Sequence, residues 1–330
     1  MNSKPTSFLS AVALSVSFMP AAHATDLVTF QLDWLPSGEH APIYVCVQQG
    51  FCGDADLKVN IEPGRGSSEA ITKMATGASD VGIVGLDALM AASANEDVPV
   101  TAVMSYFNKG PHSFYSLTET GISSVADLEG KKVVTSPFTS SNVFLPFVLE
   151  SAGLSKDSIE LIESDPGTLA PMVLTGAADV AIAWVTNLSV FEAQAKEADK
   201  EFANLPWSTV GLEIYSTALS ASDSFLAERP DVAKRFVAAF KQSVEFVQAN
   251  PEEAAAAVVE MVPEMEQDLM TASIGDTYKL VFNEVTEADG FGVFLDNKLA
   301  TTWDQVAKSQ SIDPEALDPE TVVDRSFLTD

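Results

Sequence analysis

Basic side chains are scarce in this chain. Against 47 aspartates and glutamates stand only 18 lysines and arginines, a formal net charge of -29. A surface of that sign is not built to lie on nucleic acid or an anionic membrane, both of which attract basic patches. Cysteine is rarer still, with Cys46 and Cys52 alone. Two thiols are too few for a closed zinc site, and the three histidines are scattered, so no metal-ligand set is expected. Long apolar runs are missing too. Beyond the first residues no stretch reaches the roughly 18 uninterrupted apolar residues of a spanning helix.

What is present begins at the N-terminus. Lys4 precedes an uncharged run from Phe8 to Ala22, and Ala22-His23-Ala24 gives a small-x-small cleavage pattern. This reads as a secretory signal over residues 1–24, too short to span a bilayer as a mature helix; a buried N-terminal helix is the alternative. No cysteine follows the cleavage pattern, so a lipid anchor is not expected. The mature chain then starts near Thr25, is soluble, and belongs in a periplasm. At about 300 residues it has the length of two ordinary domains, and 46% hydrophobic residues suffice for their cores. In an oxidising compartment Cys46 and Cys52, which flank Gly50, read as a disulfide, with two buried thiols as the alternative.

The organisation shows in an internal echo. Glu62-Pro63-Gly64 precedes a helical stretch, Ser67 to Ala75, then Gly77 and the apolar run Val81 to Val84. Asp165-Pro166-Gly167 precedes Thr168 to Thr175, then Gly176 and Val180 to Ala183. In each copy a strand ends at a Pro-Gly turn, and a helix opens on a Ser or Thr able to cap it. A Gly able to take the left-handed conformation then stops the helix. That order is a βαβ unit with parallel strands. Further strands are expected at Leu27–Leu32, Leu57–Ile61, Val98–Met104, Lys132–Thr135 and Ile159–Ile162. From Ser222 the chain is mostly helical, with an apolar stripe of Phe225, Val232, Phe236, Phe240, Val244 and Val247. The expected architecture is α/β. Two βαβ lobes with parallel-rich sheets enclose a ligand cleft, and the C-terminal part is helical. Lobe I is residues 25–109 plus 217–330, and lobe II is 110–216. The crossings near Tyr106–Pro111 and Glu213–Thr217 form a hinge.

Ligands of open parallel sheets sit beyond the carboxyl ends of strands, beside helix N-termini. That rule selects Asp33, Trp34, His40 and Tyr44 after the first strand, and Ser67, Ser68 and Glu69 at the next helix. It also selects Ser136, Thr139, Ser140 and Ser141, and then Trp184 and Thr186. Hydroxyls offer neutral hydrogen bonds and the aromatics flat apolar faces. Other roles are open: Ser67 and Ser140 as caps, Trp34 as core, His40 as a satisfied structural histidine. Gly64-Arg65-Gly66 lacks the Gly-Lys-Ser/Thr ending of a phosphate loop.

The run from Asp33 to Tyr44, with Gly50-Phe51, resembles the opening of the thiamine-pyrimidine-precursor binding proteins. Gly77 to Gly82 and Gly290 to Trp303 fit the same superfamily, which also holds alkanesulfonate-, taurine- and nitrate-binding proteins of ABC importers. The resemblance implies a monomeric periplasmic-binding-protein fold with Trp34, His40 and Tyr44 at or near the ligand. It also implies an inner-membrane ABC permease with its ATPase as partner, no cofactor and no catalysis. A thiamine pyrimidine precursor is the favoured ligand; a sulfonate, taurine or nitrate is the runner-up. Two departures mix the branches. Ser37 stands where relatives often carry Asn, and Trp184 stands where pyrimidine-type members often carry an acid and sulfonate binders a Trp. Fungal relatives of the fold are enzymes that make the thiamine pyrimidine with pyridoxal phosphate. Where they carry the cofactor lysine and a reactive histidine, this chain has Val84 and Ala88, so a Schiff base has no amine.

Overall fold

The computed structural model describes residues 25–328, so the leader expected over 1–24 lies outside the described residues. Runs of β-branched and aromatic residues become strands β1 (Asp26–Gln31), β2 (Leu57–Glu62), β3 (Val81–Gly85), β4 (Val100–Ser105) and β5 (His112–Leu117). Later come β6 (Lys132–Thr135), β7 (Glu160–Glu163), β8 (Val180–Trp184), β9 (Phe202–Pro206) and β10 (Thr217–Ser222). They form two five-stranded sheets, ordered β2-β1-β3-β10-β4 and β7-β6-β8-β5-β9. In the first, β1 runs parallel to β2 and β3, while β10 runs antiparallel to β3 and β4. In the second, β6 runs parallel to β7 and β8, while β5 runs antiparallel to β8 and β9. The two halves of the echo therefore supply equivalent strands, β3 and β8, each buried along its whole length.

The sheets are mixed, and the reason lies in the crossings. Each sheet receives one strand that arrives from the other: β5 enters the second sheet after residues 106–111, and β10 re-enters the first after 207–216. Periodicity placed neither strand, nor β9, because they are defined by non-local antiparallel pairing.

Helices fill the connections: α1 (Ala41–Gln48), α2 (Phe51–Asp54), α3 (Ser67–Ala75), α4 (Leu86–Asn95), α5 (Ser141–Glu150), α6 (Leu169–Leu174) and α7 (Leu188–Glu197). The C-terminal part adds α8 (Asp223–Glu228), α9 (Pro230–Ala249), α10 (Pro251–Met261), α11 (Gln267–Val281), α12 (Glu284–Asp289) and α13 (Asp296–Gln310). The stripe on α9 faces inward, with Phe236 and Phe240 packed on Phe30 of β1. Gly77 and Gly176 end their helices at φ of 74° and 77°, where other residues are strained. The Ser and Thr that open those helices do not cap them. Ser67 spends its hydroxyl on a buried carboxylate instead, and Thr168 on the Asp165 carbonyl. Cys46 and Cys52 are joined in a disulfide between α1 and α2.

Two C-terminal helices reach across to the unit built on the second sheet. Ser309 of α13 accepts from the Phe147 N–H at 3.2 Å and donates to the Val143 carbonyl at 2.8 Å, both on α5. Asp276 of α11 accepts from the Ser189 N–H of α7 at 3.2 Å. A single apolar cluster, including Val84, Leu89, Phe144, Leu145, Trp207 and Trp303, runs through this junction. The units also meet where the strand ends face each other. The Ser68 N–H donates to the Phe138 carbonyl at 3.1 Å, and Ser136 Oγ donates to the Arg65 carbonyl at 2.7 Å. Gly66 permits this approach, since a methyl there would overlap the Phe138 carbonyl. Gly66→Ala is expected to break the Ser68–Phe138 bond. Amide exchange at Ser68 should speed up by about tenfold or more, while β1 in the core stays protected.

Candidate functional site

The loop after β1 carries a carboxylate out of water, and its partners define one wall of the cleft. Asp33 is 2% exposed. Ser67, at the start of α3, donates to Asp33 Oδ2 at 3.1 Å and accepts from the Gly85 N–H at 2.9 Å. His40 Nε2 lies 3.2 Å from Asp33 Oδ1, and His40 Nδ1 lies 3.2 Å from Ser37 Oγ. A buried carboxylate needs such pairing. Gly38 seats this loop on α11: its N–H donates to Ser273 Oγ at 3.0 Å, and a methyl there would overlap the Ile274 backbone. Glu39 is buried beside Asp33. Burial, then the Asp33 charge, pushes its carboxyl well above the usual range, and its Oε1 has no hydrogen-bond partner.

The opposite wall comes from the second sheet. Trp184 ends β8, and its Nε1 donates to Ser141 Oγ at 3.1 Å. The same hydroxyl meets His112 Nδ1 at 2.9 Å. His112 packs among Phe144, Trp184 and Trp207 in tilted and edge-on contacts, with ring centroids 5.4–5.8 Å away. Its Nε2 faces Asp87 Oδ2 of α4 at 3.8 Å, across the junction, and both residues are fully or almost fully buried. Neither the Asp87 oxygens nor His112 Nε2 makes a hydrogen bond of normal geometry. Burial pushes Asp87 up to about 8, only partly offset by the Ala88 N–H, and pushes His112 down to about 3. Each is therefore neutral at pH 7.

Asp33, Trp34, Ser67, Thr139 and Trp184 line the cleft between these walls, together with Glu39, Gly66, Ala183 and Asn187. The space left is about 10 Å³, room for one water, so a larger guest requires the walls to part. Trp34 and Asn187 also border a second, mostly apolar cavity of about 270 Å³ between Leu35, Phe191 and Met265.

The other expected residues lie elsewhere. His40 stands behind Asp33 and holds it. Tyr44 points into the first unit's core, where burial and then the Glu264 charge push its hydroxyl up to about 12. Ser68 is exposed and bonds through its backbone, while Glu69 pairs with Arg65 at 3.0 Å and Lys73 at 3.8 Å. Ser136 ties the units together, and Ser141 orients Trp184 and His112. Ser140 is buried beside Gly85, and Thr186 is buried with its carbonyl facing Ser273. Arg65, after β2, turns outward over Phe138. Glu39 and Asn187 lie inside the strand-end loops Asp33–His40 and Trp184–Asn187 that the sequence points to, but neither was selected as a site residue; Asn187 Oδ1 accepts from the Trp184 N–H at 3.3 Å.

A family model described as NMT1/THI5 like matches residues 37–254. A Haemophilus influenzae protein with a thiamine-biosynthesis name is 28% identical over 270 residues, which cover 81% of this chain and 83% of that one. The 4-amino-5-hydroxymethyl-2-methylpyrimidine phosphate synthase of Candida albicans is 25% identical over 266 residues, 77% of each chain. In three dimensions the chain is similar to the alkanesulfonate-binding protein SsuA of Xanthomonas axonopodis pv. citri. The TM-score is 0.71 at 13% identity, over 92% of this chain and 99% of that one. The fold is that of periplasmic binding proteins.

The Asp87–His112 pair gives stability a pH dependence. Raised to about 8 from 3.8, Asp87 makes the folded state bind more protons, so stability falls with rising pH across that window. Lowered to about 3 from 6.5, His112 makes stability rise across its own window. The two slopes cancel between pH 3.8 and 6.5 and leave the Asp87 slope alone from there to pH 8. Urea unfolding is expected to show wild type losing up to ~1.4 kcal/mol per pH unit over that interval relative to Asp87→Asn. Equal slopes in the two proteins would contradict the assignment.

Proposed function

The chain belongs to the NMT1/THI5-like family, and from that premise we propose that it is the solute-binding component of an ABC-type importer. In this reading the units act as lobes, residues 25–109 with 217–330 against 110–216. They part to admit a small molecule and shut on it. Contacts from both walls favour the shut form, because a ligand shifts such an equilibrium by its differential affinity for the two states. The shut form docks on an inner-membrane permease, whose ATPase drives release. A cleaved leader over residues 1–24 would put the protein in the periplasm. No described helix is long and apolar enough to cross a membrane.

The observation that carries the ligand class is the cleft lining. Trp34 and Trp184 offer flat faces, Asp33 and Glu39 offer oxygens, and no lysine or arginine is among the lining residues. That set suits a small, planar, nitrogen-containing compound such as a thiamine pyrimidine precursor, whose N–H groups the carboxyl oxygens accept. An anion such as a sulfonate would meet two acids and no cation. The second reading, a sulfonate or taurine-like ligand, is favoured only by Trp184 standing where an acid is common in the pyrimidine branch. An enzyme reading fits less well, since Val84 and Ala88 are 0% and 4% exposed and carry no reactive group.

The test is a thermal-shift screen of the mature protein, refolded free of carried ligand, against pyrimidines, sulfonates, nitrate and amino acids. Ligand at ~100 times the dissociation constant adds ~2.7 kcal/mol and raises the melting point by a few degrees. A shift with pyrimidines alone is expected; a shift with sulfonates alone would replace this ligand class with the runner-up. Trp34→Ala and Trp184→Ala are each expected to weaken binding by about tenfold or more while leaving the far-UV spectrum unchanged. Unchanged affinity in both would remove the cleft from the account.

A further inference from the structure

Asp33, Glu39 and His40 bring two carboxylates and an imidazole together, with ligating atoms all within 4.8 Å of one another and all three side chains buried. Their neighbours hold them as the outer shell of a metal site does. Ser67 occupies Asp33 Oδ2 and leaves Oδ1 to face His40 Nε2. Ser37 engages His40 Nδ1 and leaves Nε2 facing Asp33. Ligating histidines and carboxylates are oriented by such second partners.

A separate observation points to a missing ligand. An Asp–His pair accounts for Asp33 and His40, but it leaves Glu39 Oε1 with no partner, on a side chain 2% exposed that lines the cleft. A buried acceptor left unmade is rare and costs about 1–3 kcal/mol. A divalent ion with two carboxylates and a neutral imidazole is also neutral overall, the charge state that burial favours.

We propose that Asp33, Glu39 and His40 form a three-ligand site for a first-row divalent metal ion, with the remaining coordination position open to the cleft. One nitrogen and two oxygen donors suit Zn²⁺ and are compatible with Co²⁺ or Mn²⁺. The ion takes the place of the hydrogen between His40 Nε2 and Asp33 Oδ1. The imidazole proton then sits on Nδ1 and donates to Ser37 Oγ, Glu39 binds as the carboxylate, and any proton it carried passes to solvent. The remaining space of about 10 Å³ holds one water or one donor atom of a guest as the fourth ligand. This site goes beyond the importer reading; it shares Asp33 and Glu39 with the proposed ligand cleft, and zinc alone tests it apart from any organic guest.

The test adds ZnCl₂ alone to chelator-treated full-length mature protein, with no organic ligand. Competition against a chromogenic chelator gives stoichiometry and affinity, and zinc-edge X-ray absorption gives the coordination shell. One equivalent of zinc is expected, with a shell of one imidazole nitrogen and oxygens, and Glu39→Gln should weaken binding by at least about tenfold. Glu39 Oε1 has no partner to lose, so this variant should keep the wild-type melting point; if it does not fold, the wild-type shell decides. Absence of stoichiometric binding, a shell without imidazole, or equal affinity in Glu39→Gln would each overturn the site and assign any bound zinc to the acidic surface.

Discussion

A carboxylate taken out of water must be paired, and Asp33 is where this molecule meets that constraint. Its two oxygens are divided between Ser67 and His40, and Ser67 passes the connection on to the Gly85 backbone. Four segments are thereby fixed to one another: the loop after β1, the turn into α1, the start of α3 and the end of β3. These are the segments that present Trp34, Glu39 and Gly66 to the cleft. The first wall is thus set by one buried charge, and its side chains are oriented before any guest arrives.

The second wall meets the same problem by neutrality. His112 and Asp87 face each other across the junction at 3.8 Å, beyond hydrogen-bond reach, and burial favours the uncharged form of each. Between the walls the backbones come close at Gly66 and Gly85. A side chain at Gly66 would strike the Phe138 carbonyl, and one at Gly85 would crowd Asp87 and Ser140. Small residues at strand ends and neutral polar groups at the seam let the two units meet without stranding charge. The C-terminal helices α11 and α13 bond to the second unit, so the two chain crossings are not the only links between the units.

Much of the frame was legible because it is local. The repeated βαβ order, the left-handed glycines at 77 and 176 and the apolar runs β3 and β8 need only neighbouring residues. The strand-end rule likewise reached Asp33, Trp34, Ser67, Thr139 and Trp184. Strands β5 and β10 escaped it, since their partners lie far off in sequence, as with Thr217 opposite Gly85. Tyr44 was placed by motif, but the phase of α1 turns it into the core. Glu69 was placed by its loop, but Arg65 and Lys73 claim its carboxyl. Glu39 carries the opposite lesson: an acid in a polar loop, between Gly38 and His40, is buried against the site although nothing in the sequence marks a partner for it.

The central claim is that an acidic protein keeps an aromatic cleft, lined by no lysine or arginine, for a planar nitrogen compound. Native mass spectrometry of the protein, purified from its own source without unfolding, tests it most directly, because the bound molecule is released and weighed. The account predicts one small nitrogen heterocycle per chain, free of sulfur. A sulfonate or other strong anion in its place would contradict it.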